Sequence, residues 1–186
     1  MPSPAKSLTT HPGMKFSFEQ PGVVVRTHRI SKDAIALLRD DHVRTLAMFE
    51  KFEQSKDRLS PTQKRDLVKQ ICGELTVHAI IEDEIFYPAA RQAADYLVDF
   101  DSLLDEARVE HRCVRQLIAQ LECASPNDAL YDAHVIVLSK YVKHHIKEEE
   151  SEIFPKMKRA KRLDLEEIGE ELALRAKALK AEFDLG

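Results

Sequence analysis

The segment His78-Ala-Ile-Ile-Glu82 occurs a second time in the chain as His145-Ile-Lys-Glu-Glu149, with the same spacing of His and Glu. A proline follows each copy at the same distance, Pro88 after the first and Pro155 after the second. Residues four apart lie on one face of an α-helix, so each copy points an imidazole and a carboxylate to the same side. The repeat therefore predicts two helices that each carry half of a shared site.

A lone histidine precedes each copy, His42 before the first and His111 before the second. Imidazole suits iron, zinc and copper, whereas carboxylate suits harder cations. A ligand set of imidazoles and carboxylates without cysteine fits iron or manganese well and zinc less well. Helical bundles build two-metal sites from such inward-facing pairs. The sequence predicts a two-metal site, and its predicted ligands are His42, His78, Glu82, His111, His145 and Glu149.

A buried polar network without metal is the alternative interpretation. Burying two carboxylates and four imidazoles without a partner would be very costly. A metal removes that cost because it supplies the opposing charge. The metal site is therefore the favoured interpretation.

The fourth helix offers a second pair at the same spacing, His144 and Glu148. His145 and Glu149 are favoured because they share a stripe with the apolar residues of that helix and match the first copy when the prolines are aligned. We expect His144 in a solvated position, paired with Glu148, and the acidic run 147–152 on a solvated face with Glu149 alone pointing inward. Glu74 and Tyr141 each lie four residues before a ligand histidine, so both are expected to face the cavity one turn away. They are candidates for supporting or additional ligands, and whether either one binds the metal is left open.

Apolar periodicity predicts four long helices and a fifth at the C-terminus. Ser60-Pro61-Thr62-Gln63 is a capping-box start for the second helix, and Ser125-Pro126-Asn127-Asp128 repeats that signal before the fourth. The predicted organisation is all-α: an N-terminal arm (1–30), an up-down-up-down four-helix bundle (31–160) and an extra C-terminal helix (161–186). The predicted helices run over about 31–58, 60–91, 101–123, 125–155 and 164–183.

Composition limits the classes of function. The 186 residues are 44% hydrophobic and 32% charged, which is typical of one soluble globular domain. The net charge of −4 gives no electrostatic basis for nucleic-acid binding, and no apolar run approaches the roughly 20 residues that span a bilayer. Three cysteines without a C-x-x-C pair indicate reduced thiols, and with no secretory signal in residues 1–20 they predict a cytoplasmic protein.

The set of motifs resembles the hemerythrin-like, or HHE cation-binding, domain family over about residues 31–160. The resemblance rests on Asp41-His42, Glu110-His111, and the two repeats with Phe86-Tyr87-Pro88 and Ile153-Phe154-Pro155 behind them. It implies a four-helix bundle around a non-haem di-iron centre, bridged by Glu82, Glu149 and an oxo or hydroxo group. The four histidines would be terminal ligands. Oxygen-carrying members have a further histidine one turn after His111, where this chain has Arg115.

That departure counts against simple oxygen carriage. The leading hypothesis is a cytoplasmic di-iron protein that reacts with or senses O2, peroxide or nitric oxide, with catalase-like peroxide removal in oxidative stress as its enzymatic form. Two alternatives stay open: an iron-binding or iron-delivery module without turnover, and a regulatory bundle stabilised by its metal. The sequence identifies no protein partner.

Overall fold

The chain folds into helices, and no strand occurs in the part that the computed structural model describes, residues 32–93, 100–160 and 163–185. The first half contains α1 (Ala34–Ser55), α2 (Pro61–Ile81), the π-helical turn π1 (Glu82–Phe86) and α3 (Tyr87–Ala93). The second half contains α4 (Phe100–Cys123), α5 (Tyr131–Glu148), the π-helical turn π2 (Glu149–Ile153) and α6 (Phe154–Arg159). The last helix is α7 (Leu165–Glu182).

The four long helices close into a ring. Helix α1 packs against α2 and α5, and α4 packs against the same two helices. Helix α7 lies outside this ring, on α1, α2 and π1. The predicted all-α bundle with an extra C-terminal helix is confirmed, and the predicted arm (1–30) lies outside the described residues. None of the helices in the described ranges is long and apolar enough to cross a membrane.

Local side-chain hydrogen bonds set the start of α2 as the sequence predicts. The Ser60 side chain accepts from the Gln63 backbone N–H, and the Gln63 side chain accepts from the Ser60 N–H, with Pro61 in the first turn. Such reciprocal bonds satisfy amide groups that the helix itself leaves unpaired. Asp164 caps α7 in a related way, accepting from the N–H groups of Glu166 and Glu167.

The predicted helix start at Ser125 is wrong, because α5 begins at Tyr131. The Asp128 N–H donates to the Ser125 carbonyl (2.9 Å), and the Ser125 N–H donates to Asp128 Oδ2 (2.8 Å). The Tyr131 N–H then donates to the Asp128 carbonyl (3.0 Å). The residues of the apparent capping box thus close a turn on themselves, an arrangement in which short polar side chains compete with the helix.

Two π turns interrupt the helices that carry the repeated motif. The Tyr87 N–H donates to the Glu82 carbonyl, and the Phe154 N–H donates to the Glu149 carbonyl, so each bond spans five residues instead of four. Pro88 and Pro155 follow directly, and a proline cannot donate to the carbonyl four residues before it. The apolar periodicity predicts both helices as uninterrupted, and the two equivalent prolines are the signal in the sequence for the π turns.

The buried side chains form two apolar clusters with a polar layer between them. One cluster packs around Phe86 and Phe154 and includes residues of α1, α2, α4 and α7. The other surrounds Phe49, Phe52 and Leu138. On α1, His42 lies between Leu38 of the first cluster and Phe49 of the second. The predicted site therefore occupies a layer inside the bundle where buried polar atoms need partners.

Candidate metal centre

The structure brings all six predicted ligands together. They form two groups, His42–His78–Glu82–Glu149 and Glu82–His111–His145, and within each group the possible ligand atoms lie within 4.8 Å of one another. All six side chains are buried, and His78, the most exposed of them, shows only 7% of its surface. Glu82 belongs to both groups, which is the position that a carboxylate bridging two ions must occupy.

The facing atoms are spaced as ligands of a shared ion. His78 Nε2 and His111 Nε2 lie 3.2 and 3.3 Å from Glu82 Oε2. His42 Nε2 lies 3.2 Å from Glu149 Oε2, and His111 Nε2 lies at the same distance from His145 Nε2. Two ligands about 2.1 Å from one ion are separated by about 3 Å when they occupy adjacent positions. These spacings fit a metal centre.

A carboxylate lies behind each of the four imidazoles. The pairs, with the distance from histidine Nδ1 to the nearest carboxylate oxygen, are His42 and Glu150 (2.9 Å), His78 and Asp41 (3.6 Å), His111 and Asp83 (3.1 Å), and His145 and Glu110 (2.8 Å). A carboxylate that accepts from Nδ1–H leaves the Nε2 atom of the imidazole facing inward. The contacts of His42, His111 and His145 have hydrogen-bond length, whereas His78 Nδ1, 3.6 Å from Asp41, has no hydrogen-bond partner. Buried inward-facing atoms also lack a partner, and an ion could bind there: His42 Nε2, His78 Nε2, both oxygens of Glu82, and Glu149 Oε2.

The four supporting carboxylates follow the same two-fold pattern as the ligands. Asp41 and Glu110 each precede a lone histidine and hold the repeat histidine of their own helical hairpin. Asp83 and Glu150 each follow a repeat glutamate and hold the lone histidine of the other hairpin. The sequence analysis missed these roles, although the paired motifs Asp41-His42 and Glu110-His111 carried the signal. The contacts link the two hairpins at the level of the site.

A small cavity opens on the histidine side of the centre. All four ligand imidazoles border it, and its other walls are mainly apolar: Thr45, Leu75, Ala79, Val114, Val142 and Ile146. Its volume is 20 Å³. A water molecule needs about 10–15 Å³ on this measure, so the cavity admits a molecule of only a few atoms.

Comparison with known proteins places this geometry in a family. Residues 33–157 match the hemerythrin HHE cation-binding domain. The chain belongs to the hemerythrin HHE cation-binding family. A crystal structure of an HHE cation-binding domain-containing protein from Mycobacterium kansasii is similar, with a TM-score of 0.66 and 25% identity over 81% of this chain and 89% of that one.

A second relative is much longer than this chain. It is a protein from Nostoc sp. named DNA nickase, 30% identical over 118 residues, which are 63% of this chain and 31% of the relative. The chain thus spans about a third of the length of that relative.

Two side chains predicted to face the cavity of the HHE domain lie elsewhere. Tyr141 is 46% exposed. Glu74 accepts a hydrogen bond from Lys180 of α7 at 2.7 Å. Both predictions are wrong, because a residue one turn from a ligand also lies one turn farther along the bundle, where α7 or solvent is its neighbour.

The acidic run of the HHE domain has two inward members. Glu149 is buried as predicted, but Glu150 also turns inward to His42 and its side chain is only 35% exposed. The π turn begins at Glu149 and changes the angular position of the residues that follow. His144 behaves as predicted, since its side chain is 60% exposed and lies 3.2 Å from Glu148.

Arg115 occupies the position where oxygen-carrying relatives were expected to have a fifth histidine. Its Nη1 donates to Asp83 Oδ2 at 2.9 Å, so the guanidinium points at the carboxylate behind His111. Arg115 therefore acts on the centre through Asp83. It does not take the place of the fifth histidine ligand that the oxygen-carrying members have.

Tyr87 is a site residue that the sequence analysis did not assign. Its hydroxyl donates to Glu149 Oε1 at 3.4 Å, and its ring stacks on His111 with a centroid separation of 5.5 Å. The side chain is buried. Its position in the Phe86-Tyr87-Pro88 segment after the first repeat was the available signal. Tyr87 supplies one of the few donors to the central carboxylates.

Burial shifts the pKa values of the site residues. It lowers the pKa of His78 to about 4 and also lowers the pKa of His111. Burial, together with the charge of Glu149, holds the pKa of Glu82 well above its ordinary value. Burial acts in the same direction on Glu149, but His42 and the other nearby imidazoles hold its pKa below the ordinary value. Burial opposes protonation of His42, but Glu149 and Glu150 raise the pKa of His42 above its ordinary value. A bound dication would compete with protons for these buried groups.

Proposed function

We propose that this HHE domain holds two iron ions and that the centre reacts with a small oxidant, with peroxide as the substrate of an enzymatic form. The observation that carries the proposal is the 20 Å³ cavity bordered by all four ligand imidazoles. Its size excludes organic substrates and its walls are mainly apolar. A bound pair of irons would supply reversible one-electron chemistry to a diatomic or peroxide ligand.

The residues present fit that cofactor. Four imidazole nitrogens and two carboxylates, with no thiolate, form a donor set that suits iron. Glu82 and Glu149 would offset part of the charge of the two ions, while the four outer carboxylates lie behind the imidazoles and orient them inward. Tyr87 orients Glu149, and the apolar walls exclude bulk water.

The test begins with metal content and the visible spectrum of protein purified with and without air. We expect two irons per chain and the absorption of an oxo-bridged di-ferric pair after exposure to air. The iron-loaded protein should evolve O2 from peroxide, and His78→Ala should abolish this activity. His134→Ala is the matched control, because His134 lies three turns before His145 on α5 and outside both metal-binding groups. Activity no higher than that of free iron would refute the enzymatic proposal.

The same measurements separate the two alternatives. An iron-binding or iron-delivery module would carry exchangeable iron and show no peroxide turnover. A metal-stabilised regulatory bundle would lose much of its stability when a chelator removes the metal. The absence of a nucleic-acid partner and a cytoplasmic location stay predictions from the net charge and the sequence pattern.

A further inference from the structure

A second, larger cavity lies between α2, the end of α4 and the start of α5, and residues that follow α7 close one side of it. Its volume is 410 Å³, within the range of about 300–1,000 Å³ that sites for small organic molecules occupy. No described residue lines both this cavity and the small one at the metal centre. Because packed interiors leave few voids larger than a water molecule, a recess of this size offers room for a ligand.

The C-terminal residues form an apolar wall of this cavity. The chain turns back at Asp184, whose φ of 54° lies in the left-handed region, and the Leu185 N–H donates to the Lys180 carbonyl at 2.9 Å. This is the bond of a Schellman motif, which fixes the turn. The Leu185 side chain occupies the space that a side chain on Gly73 would fill, and Phe183 lies beside it in the wall. Further apolar walls are Val68, Leu121 and Ala124.

Two cationic side chains lie at the mouth of the cavity. Arg65 and Lys69 are four residues apart on α2, so they share a face of the helix, and both are exposed. Neither forms an ion pair or a side-chain hydrogen bond with another described residue, whereas Lys64 of the same helix pairs with Asp132 at 2.8 Å. Glu122 is the one acid among the described lining residues. Two cations and one carboxylate leave an excess of one positive charge at the mouth.

A buried hydroxyl without a partner faces the same cavity. Tyr131 lines the cavity and is only 2% exposed, yet its hydroxyl makes no hydrogen bond with any described residue. Buried polar groups normally have a partner. Burial raises the pKa of Tyr131 to about 12, and the charge of Arg65 acts in the opposite direction, so the hydroxyl keeps its proton and lies within reach of that charge. A hydroxyl donor beside a guanidinium suits a carboxylate.

We propose that this cavity binds a free organic anion with an apolar body, of the fatty-carboxylate class. The carboxylate of the ligand accepts hydrogen bonds from Arg65, Lys69 and the Tyr131 hydroxyl, and its chain packs on the apolar walls. An uncharged apolar molecule would leave all three donors unpaired. A polyanion such as a nucleotide is disfavoured, because Glu122 would repel its further charges. The site is independent of the iron in the proposed function.

The first experiment asks whether the cavity recognises an anion. The protein as purified, with its metal, is titrated with 1-anilinonaphthalene-8-sulfonate, and decanoate or decanol then displaces this fluorophore. We expect decanoate to displace it, and Arg65→Gln/Lys69→Gln to raise the Kd of decanoate by about tenfold while the Kd of decanol stays unchanged. Lys51→Gln/Lys158→Gln is the matched control, since it removes two exposed charges outside the cavity and should leave both Kd values unchanged.

Three outcomes of this titration would overturn the proposal. They are no displacement by decanoate, equal losses of affinity for decanoate and decanol in the double variant, and a loss as large in the control.

The second experiment locates the ligand. Tyr131→Phe keeps the ring and removes the hydroxyl, so it should raise the Kd of decanoate by about fivefold. Ala124→Trp should fill the cavity and abolish binding of both ligands, with the circular dichroism and the metal content of the protein unchanged. Wild-type affinity for decanoate in Tyr131→Phe, or in a folded Ala124→Trp, would overturn the assignment. If Ala124→Trp does not fold, Tyr131→Phe still decides it.

Discussion

Replacing Glu150 by alanine tests the role of the outer carboxylates. Glu150 Oε1 lies 2.9 Å from His42 Nδ1, and His42 is buried. A hydrogen bond to a charged group contributes about 1.5–3 kcal/mol. Because the Glu150 side chain is 35% exposed, solvent screens this interaction and water can replace part of it, so we expect an effect just below the lower end of that range. We expect Glu150→Ala to weaken iron binding by about tenfold, or about 1.4 kcal/mol.

Competition with a chromophoric Fe²⁺ chelator under anaerobic conditions measures this change. Glu152→Ala is the matched control, since Glu152 lies two residues on in the same acidic run, is 53% exposed and pairs with Lys156. Glu150→Gln should fall between the two, because its amide oxygen still accepts from His42 while the charge is lost. Loss of the weak pair between Glu150 and Arg39 (3.6 Å) contributes little. Equal affinities for Glu150→Ala and Glu152→Ala would refute the supporting role of Glu150.

Three further predictions concern the metal, a thiol and a close helix contact. Removing the metal by chelation should lower the melting temperature by about 10 °C, because a ligand present at about 1,000 times its Kd stabilises the folded state by about 4 kcal/mol. An unchanged melting curve would contradict the proposal that a metal neutralises the buried carboxylates. Burial, with the charge of Glu122, raises the pKa of Cys72 to about 12, so at pH 8 a disulfide reagent should label exposed Cys123 rapidly and Cys72 only after unfolding. Gly169→Ala should destabilise the protein by about 1–3 kcal/mol in denaturant unfolding, because the new methyl group would lie 2.5 Å from the Lys32 carbonyl oxygen. Gly73→Ala is the control and should cost less, because its methyl group would meet only the movable end of the Leu185 side chain.

The six ligand positions could be predicted because they follow the period of the helix. His42, His78, His111 and His145 lie on the same stripes as the apolar residues that fill the core, and a polar residue on such a stripe needs a partner. Burial of the stripe then fixes which of two neighbouring histidines points inward, which is why His145 could be distinguished from His144. The same reasoning predicted the bundle, since short connections place successive amphipathic helices side by side.

The outer carboxylates could not be predicted in this way, because they lie beside the apolar stripe and not on it. Asp41 and Glu110 are next to a ligand in sequence, so helical periodicity alone assigns them to solvent. Their partners are on other helices, and only the packing of the bundle shows those contacts. Asp83 and Glu150 depend in addition on the π turns, which begin one residue before them. A π turn adds a residue to one helical turn and so moves side chains that a regular period would place outside.

Helix α7 explains why two nearly equivalent hairpins have different outer surfaces. Its Arg175 and Lys180 pair with Glu84 and Glu74 of the first hairpin at 2.6 and 2.7 Å. Aligned on the repeats, the second hairpin has Ser151 and Tyr141 at those positions, so it offers no matching acids to the basic residues of a covering helix. One hairpin therefore carries the pairing acids and the apolar surface that fix α7. The other keeps a polar face, on which His144 and Glu148 are exposed to solvent.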